Sequence, residues 1–382
     1  MNPYARHVIV DDDVRAVEAA LRSGWLTCGP MVGRFEEALA RYTGTRGAVA
    51  VSSGTAALHC AMHALGIGPG DEVIVPALTF VATANAVLYL GGKPVFSDVV
   101  PDTLLLDPQQ AQALFTPRTK ALVTVDYAGQ PSPYDALASL CRERGVAFVA
   151  DACHALGAKD QGRPVGSLAD LSVFSFHPAK HVACGEGGAV VGENEALLHR
   201  ARVFRAHGID SDPTERAKTG SWQYAMTELG CNYRITDIQC ALGLSQLSRL
   251  PQSLAVRAAN AAAYDAAFAD ADVPEGLVRP LARRPGADHA YHLYVVRVNF
   301  SRAAVDRQTL FLRLRAAGVG ANVHYLPVYL HPYYRRLGYT PGLCPRAEEA
   351  YEEIVSLPMH AAMSVEDATY AAQTLLDIVE GR

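Results

Sequence analysis

Apolar positions along this chain switch between two periods. In GRFEEALARYTG, Phe35, Leu39 and Tyr42 recur at helical spacing and Gly44 closes the helix. Thr55 to Leu65 reads as a second helix, with Leu58, Met62 and Leu65 on one face and a Gly66-x-Gly68-Pro69-Gly70 stop. Between and beyond these helices lie short, unalternating apolar runs: Ala48–Val51, Glu72–Val75, Pro94–Val99, Ala121–Val125, Val146–Ala150, Leu171–Phe176 and Ala189–Val191. Runs this short, rich in Val and Phe and separated by helical or Gly/Pro segments, predict the strands of a parallel sheet buried on both faces.

A Thr-Asp pair opens a helix over Thr236–Leu247, and Pro251 is expected to break it before an Ala-rich helix at Ala255–Phe268. After Pro274 the texture changes. Tyr291–Val298 reads as a strand and Arg307–Ala317 as a helix ended by Gly318. Asn322–Tyr339 is too rich in Pro for regular structure, and Tyr351–Leu357 and Val365–Val379 read as further helical turns. The expected organisation is a large α/β domain over residues 1–248 and a smaller α+β domain over 249–382.

Composition narrows the class. The chain has 382 residues, half of them hydrophobic, which excludes wholesale disorder. The net charge of −5 leaves no basic excess for a phosphate backbone, so nucleic-acid binding is not expected. The eight cysteines form no C-x-x-C pair, which disfavours zinc and disulfide scaffolds and suits a reducing compartment. No metal centre is expected. The start MNPYARHVIVDDD has no apolar signal core, and no run approaches the length of a membrane span. A cytoplasmic protein is the expectation.

In open parallel sheets, ligands bind beyond the carboxyl ends of the strands. Four segments follow strands or open helices. Ser52-Ser53-Gly54-Thr55 can cradle an anion on helix N–H groups, or be an ordinary helix cap. Asp151, at the end of VAFVA, either caps the segment after it or meets a cation, and His154 stands close enough to face the same ligand. Lys180 comes after a buried strand in FSFHPAKH. It is either a surface charge or a desolvated amine able to act as nucleophile and base. Asn232 and Arg234, ahead of the Thr236 helix, can bind phosphate or cap that helix.

In this order the segments become specific. SSGTAAL, TFVATANAV, DACHALG, FSFHPAKH with GEGG, and LGCNYRITDIQCALGLSQL resemble the DegT/DnrJ/EryC1/StrS family of pyridoxal-phosphate-dependent sugar aminotransferases, and the likeness runs from SGWLTCGP to the C-terminal part. The resemblance implies the type I aminotransferase fold and pyridoxal 5'-phosphate as cofactor. By the same match Lys180 carries the cofactor covalently and moves protons, and Asp151 pairs with the pyridine nitrogen. His154 lies on the side of the phenolic oxygen, Phe80 stacks on the ring, and Gly54, Thr55 and Ser175 form the phosphate cup. Asn232 reaches the phosphate of a partner subunit, which implies a homodimer with shared active sites, and Arg234 stands near the substrate's diphosphate.

The implied reaction moves the amine of L-glutamate to a keto carbon of a nucleotide-linked sugar. NVHYLPVYLHPYYRRLGY (322–339), NPYARH and LRSGWLTCGP look most like the C4 aminotransferases of the pseudaminic-acid pathway, which act on a UDP-linked 4-keto-6-deoxy-N-acetylhexosamine. On that match Tyr4, His324 and Tyr325 contact sugar or nucleotide; plain loop packing is the competing reading of this stretch. Another UDP-, GDP- or dTDP-sugar, a dehydratase on the same cofactor, and a non-catalytic regulator are the alternatives. Relatives that act as dehydratases carry His where this chain has Lys180. Three positions depart from the usual pattern: Asp126, where relatives have His and which is expected near the sugar, and Cys153 and Cys231, expected beside the cofactor. No Gly fingerprint of a dinucleotide-binding dehydrogenase succeeds the first strand.

Overall fold

The computed structural model describes residues 2–211, 220, 222–271 and 273–382. Seven strands form the central sheet: β1 (Gly47–Val51), β2 (Glu72–Pro76), β3 (Lys93–Ser97), β4 (Thr119–Val125), β5 (Ala147–Asp151), β6 (Leu171–Ser175) and β7 (Gly188–Gly192). Their order is β1-β7-β6-β5-β4-β2-β3. The pairs β2–β3, β2–β4, β4–β5 and β5–β6 are parallel, whereas β7 runs antiparallel to both β1 and β6. The sheet is therefore mainly parallel with one reversed strand. Ala189–Val191 carries no sequence sign of direction, because a strand buried on both faces reads the same either way.

The unalternating runs are explained by two apolar layers. Successive residues of each strand enter opposite clusters: Val49, Val73, Val123, Val149 and Val173 face one side, Ala50, Ile74, Leu122, Phe148 and Phe174 the other. The first layer is closed by the helix Gly54–Ala64, the second by the helices Pro30–Thr43, Tyr134–Arg144 and Asp237–Ser248. Thr236 caps the last of these with a reciprocal Gln239 bond. That helix stops at Arg249. Pro251 lies in the first turn of the next helix, Leu250–Ala269, where a missing N–H costs nothing, so the break falls earlier than the proline. A helix at Asp11–Arg22, with three aspartates in its first turn, precedes all of this and was not apparent from the sequence.

A second sheet joins β8 (Val278–Pro280), β9 (Tyr294–Val298) and β10 (Ile354–Leu357) in that order, antiparallel throughout. Two expectations are corrected here. Tyr351–Leu357 is not helical to its end: the helix Pro345–Glu353 gives way to β10, whose four residues are all buried. The strand expected from Tyr291 begins only at Tyr294, because Tyr291 has a positive φ of 50° and turns the chain. Within 322–339 a 3₁₀ turn, Val328–Leu330, and a short helix, Pro332–Arg336, do form. Tyr294, Val296, Leu314 and Leu375 sit in a third cluster drawn from residues 261–379, while Val295 and Ile354, on the other face of the small sheet, join the first layer.

β7 passes the start of the Gly54 helix so closely that only glycine fits. A Cβ on Gly188 would stand 2.4 Å from the Ser53 carbonyl oxygen and 2.5 Å from its carbon. Gly188→Ala is expected to lower stability by about 1–3 kcal/mol, because backbone and not a flexible side chain must move. Urea unfolding of the variant beside the wild type reads this, and an unchanged midpoint would contradict the close approach.

Candidate active site

The carboxyl ends of β1, β2, β5 and β6 open on one cavity of about 530 Å³. Each strand delivers its next residues to the wall: Ser53, Gly54 and Thr55 after β1, Thr79 and Phe80 after β2, Cys153 and His154 after β5, and Lys180 after β6. Tyr4, Asp151, Ser175, His324 and Tyr325 complete the set, so ten of the twelve residues singled out in the sequence meet here. Asn232 and Arg234 do not. Asn232 is exposed and pairs through its backbone with Ala206; Arg234 is half-buried and bridges to Val51.

The helix Gly54–Ala64 points its N-terminus at the cavity. Ser53 accepts a hydrogen bond from Ala56 N at 3.0 Å as N-cap, and the remaining first-turn N–H groups and the positive end of the dipole favour an anion. A Cβ on Gly54 would lie 2.8 Å from that of Ser175, so glycine lets this corner close.

Asp151 is almost wholly buried. One oxygen accepts from Thr83 Oγ1 at 2.7 Å and the other from Cys153 N at 3.3 Å, and Thr83 is in turn 2.8 Å from Thr79 Oγ1. Two donors leave the carboxyl oxygens spare acceptor capacity, which suits a donor group on the cavity side.

Lys180 Nζ stands 3.3 Å from His292 Nε2. Burial lowers the pKa of this amine, against the opposing pull of Cys153 and Asp151. The rings of His292 and His154 lie tilted by 40° with centroids 4.2 Å apart, and His154 Nε2 lies 3.2 Å from the Tyr325 hydroxyl. Burial, helped by the Lys180 charge, holds both imidazoles well below their ordinary pKa, so both are neutral. The Nδ1 atoms of His154 and His292 are buried with no partner among the described residues. Both rings nevertheless line the cavity. His324 is pushed down to about 4 by burial and shares a 2.9 Å contact with Ser356 Oγ. Among the described residues, no group of three or more His, Cys, Asp or Glu is placed to hold a metal ion.

His292 and Thr83 carry functional contacts that sequence reasoning missed. His292 gave no signal beyond being polar at a strand mouth. Thr83 had one, its spacing of four from Thr79 at a helix start.

Two of the departures move away from the cavity. Asp126 is fully buried and does not reach the sugar side: its oxygens accept from Ser132 N and Tyr134 Oη, each at 2.7 Å, and hold the turn after β4. Cys231 pairs its backbone with Phe204 and His207 and does not line the wall, whereas Cys153 does. Burial raises the Asp126 carboxyl from 3.8 to about 7, overcoming its two hydrogen bonds. The folded protein thus holds this proton more tightly than the unfolded chain does. The stabilising contribution is complete below about pH 4 and is lost as the pH climbs through about 7. Asp126→Asn is expected to flatten that decline, read as urea midpoints at about pH 5 and about pH 8. An undiminished slope in the variant would assign the decline elsewhere.

A model of the DegT/DnrJ/EryC1/StrS aminotransferase family matches residues 7–376. The chain is 39% identical over 382 residues to the spore coat polysaccharide biosynthesis protein SpsC of Bacillus subtilis, covering 99% of this chain and 97% of that one. Among solved structures it is similar to Helicobacter pylori PseC, an aminotransferase involved in the biosynthesis of pseudoaminic acid, with a TM-score of 0.91 and 32% identity over 99% of both chains. The PMP form of Streptococcus pneumoniae Spr1654 superposes with a TM-score of 0.92 at 32% identity, again over 99% of both.

Proposed function

This chain belongs to the DegT/DnrJ/EryC1/StrS aminotransferase family, whose members are pyridoxal-phosphate-dependent sugar aminotransferases, and from that premise we propose that it moves the amine of L-glutamate to C4 of a UDP-linked 4-keto-6-deoxy sugar. The observation that carries the transamination reading is the meeting of Lys180, Asp151 and the Ser53–Thr55 helix start around one cavity.

These residues fit the cofactor. Lys180 would hold it covalently, Asp151 would pair with its ring nitrogen, and Gly54, Thr55 and Ser175 would take its phosphate. His154 would face the phenolic-oxygen side of the ring and Phe80 would stack on its plane. When bound, the cofactor supplies an electron sink and carries the amino group between the two substrates. Lys180 takes a proton from the α-carbon of the donor in the first half-reaction and returns one to the sugar carbon in the second. Burial lowers the pKa of its amine, which favours the free base that takes this proton. His292 Nε2 lies within hydrogen-bond reach of Nζ and restricts where that atom can sit.

Tyr4, His324 and Tyr325 line the same cavity as Lys180 and are assigned to the sugar and nucleotide. Tyr4 and His324 lie with ring centroids 5.6 Å apart, Phe80 and Tyr325 6.0 Å apart. The likeness to PseC, an aminotransferase involved in the biosynthesis of pseudoaminic acid, over nearly both whole chains supports an amino-sugar substrate of that pathway.

Asn232 is assigned to the cofactor phosphate of a partner subunit in a homodimer, and Arg234 to the substrate's diphosphate. Trp222, Met226 and Leu229, close by in sequence, are 65–82% exposed, and Phe80 at the cavity mouth is 55% exposed. Apolar surface of this kind suits a covering partner. The two-part organisation at 248/249 and cytoplasmic residence belong to the same reading. All eight cysteines are free, and among the described residues no helix is long and apolar enough to cross a membrane.

Incubation with nitrogen-15 L-glutamate and a UDP-4-keto-6-deoxy-N-acetylhexosamine tests the reading by mass spectrometry. One labelled nitrogen in the sugar, with 2-oxoglutarate released, is expected. Loss of a hydroxyl without labelled nitrogen would replace it with a lyase.

A further inference from the structure

Behind Lys180 lies a second cavity, of about 290 Å³, and Lys180 borders both. Its mouth carries Arg6 and His7, both exposed. Its floor is the start of the helix Leu250–Ala269, with Arg249, Gln252, Ser253 and Arg257 in the wall. Among the described residues, no Asp or Glu lines it.

Two of these guanidinium groups are incompletely partnered. Arg257 is 2% exposed; its Nη1 donates to the carbonyls of Tyr291 and Met359 at 2.9 Å each, and its Nε is buried with no acceptor among the described residues. Arg249 bonds Asp13 through Nη2, and its Nε is likewise buried and unpaired. A guanidinium out of water with only neutral acceptors is costly unless an anion joins it. The helix adds to the pull: it has no side-chain cap, it is twenty residues long, and its first-turn residues Gln252 and Ser253 line the cavity. The flat edge of an arginine matches the two oxygens of a carboxylate.

We propose that this cavity is a carboxylate subsite, in which Arg257, the Leu250 helix start and Arg6 hold the side-chain carboxylate of a dicarboxylic amino donor whose amine reacts on the far side of Lys180. The proposal rests on the transaminase reading and adds to it the residues that choose the donor.

Two variants test it in the cofactor-loaded protein. Ser253→Glu puts a competing carboxylate into the wall and leaves both carbonyl bonds of Arg257 in place. Arg257→Met removes the cation at similar volume. Glutarate is the binding probe, followed by calorimetry; donor choice is the ratio of half-reaction efficiencies for L-glutamate and L-alanine, read by bleaching of the yellow colour. In each variant glutarate affinity and the preference for L-glutamate are expected to fall about 10–100-fold. Should Arg257→Met fail to fold, Ser253→Glu decides.

Unchanged glutarate affinity and unchanged donor preference in Ser253→Glu would overturn the subsite while leaving the transaminase reading intact. Inorganic phosphate that displaces glutarate equally well, with donor preference unmoved, would overturn it as a general anion site. A wild-type protein that takes an amine from no donor would overturn both readings.

Discussion

Lys180→Ala is expected to abolish transamination, with a loss of at least about 10⁴-fold, while the protein remains folded. Two roles disappear at once. The covalent anchor is lost, and so is the only amine among the described residues of the cavity wall that can carry a proton between the two carbon centres. The fold should tolerate the change. The Lys180 side chain is half-buried, and its one hydrogen bond goes to His292, which stays packed against His154. The wild-type protein, purified with cofactor, is expected to be yellow and to lose that colour on addition of L-glutamate. The variant should show neither the colour of a covalently held cofactor nor the bleaching, with an unchanged circular dichroism spectrum. Undiminished amine transfer by Lys180→Ala would overturn the assignment of this lysine and the mechanism built on it.

The cofactor side of the site was legible because each of its residues adjoins a strand that announces itself. Apolar runs such as Ala48–Val51 cannot be mistaken for surface, so a Ser-Gly-Thr, an Asp or a Lys standing just past one must lie at a sheet edge. Lys180 and Asp151 are 29 positions apart in sequence but stand at the ends of the adjacent parallel strands β6 and β5, and that adjacency brings them to one cavity. The residues that sequence reasoning missed arrive differently. His292 comes from the turn before β9, more than a hundred residues from the Lys180 it touches, and no local pattern marks that return.

β10 was misread for a related reason. The acidic helix Pro345–Glu353 runs straight into Ile354–Leu357, and four buried residues are too few to show a period of their own. Only pairing with β9, across more than fifty residues, makes them a strand. Asp126 shows the opposite failure. A carboxylate at the end of β4 looks like a site residue by the rule that found Asp151, yet Ser132 and Tyr134 fold back over it and use it as a turn anchor. The rule locates the sheet edge. Which side chains there face the cavity depends on what the next loop covers.

Asp151→Asn is the second change expected to have a large effect, a fall of about 10²–10³-fold in the half-reaction with L-glutamate. Asparagine keeps the size and one carbonyl oxygen, so the bond from Thr83 survives, and the surrounding wall has no reason to move. The negative charge is lost. A ring nitrogen facing a carboxylate keeps its proton, and a protonated ring draws electrons from the reacting carbon; a neutral amide gives no such support. Thr83→Val separates charge from position. It removes a hydrogen bond that orients Asp151 but leaves the carboxylate, so its loss should be smaller, of the order of tenfold. Rapid-mixing measurement of the bleaching rate for both variants reads the contrast. Equal losses would assign Asp151 the role of a structural anchor, and a wild-type rate in Asp151→Asn would remove it from the chemistry.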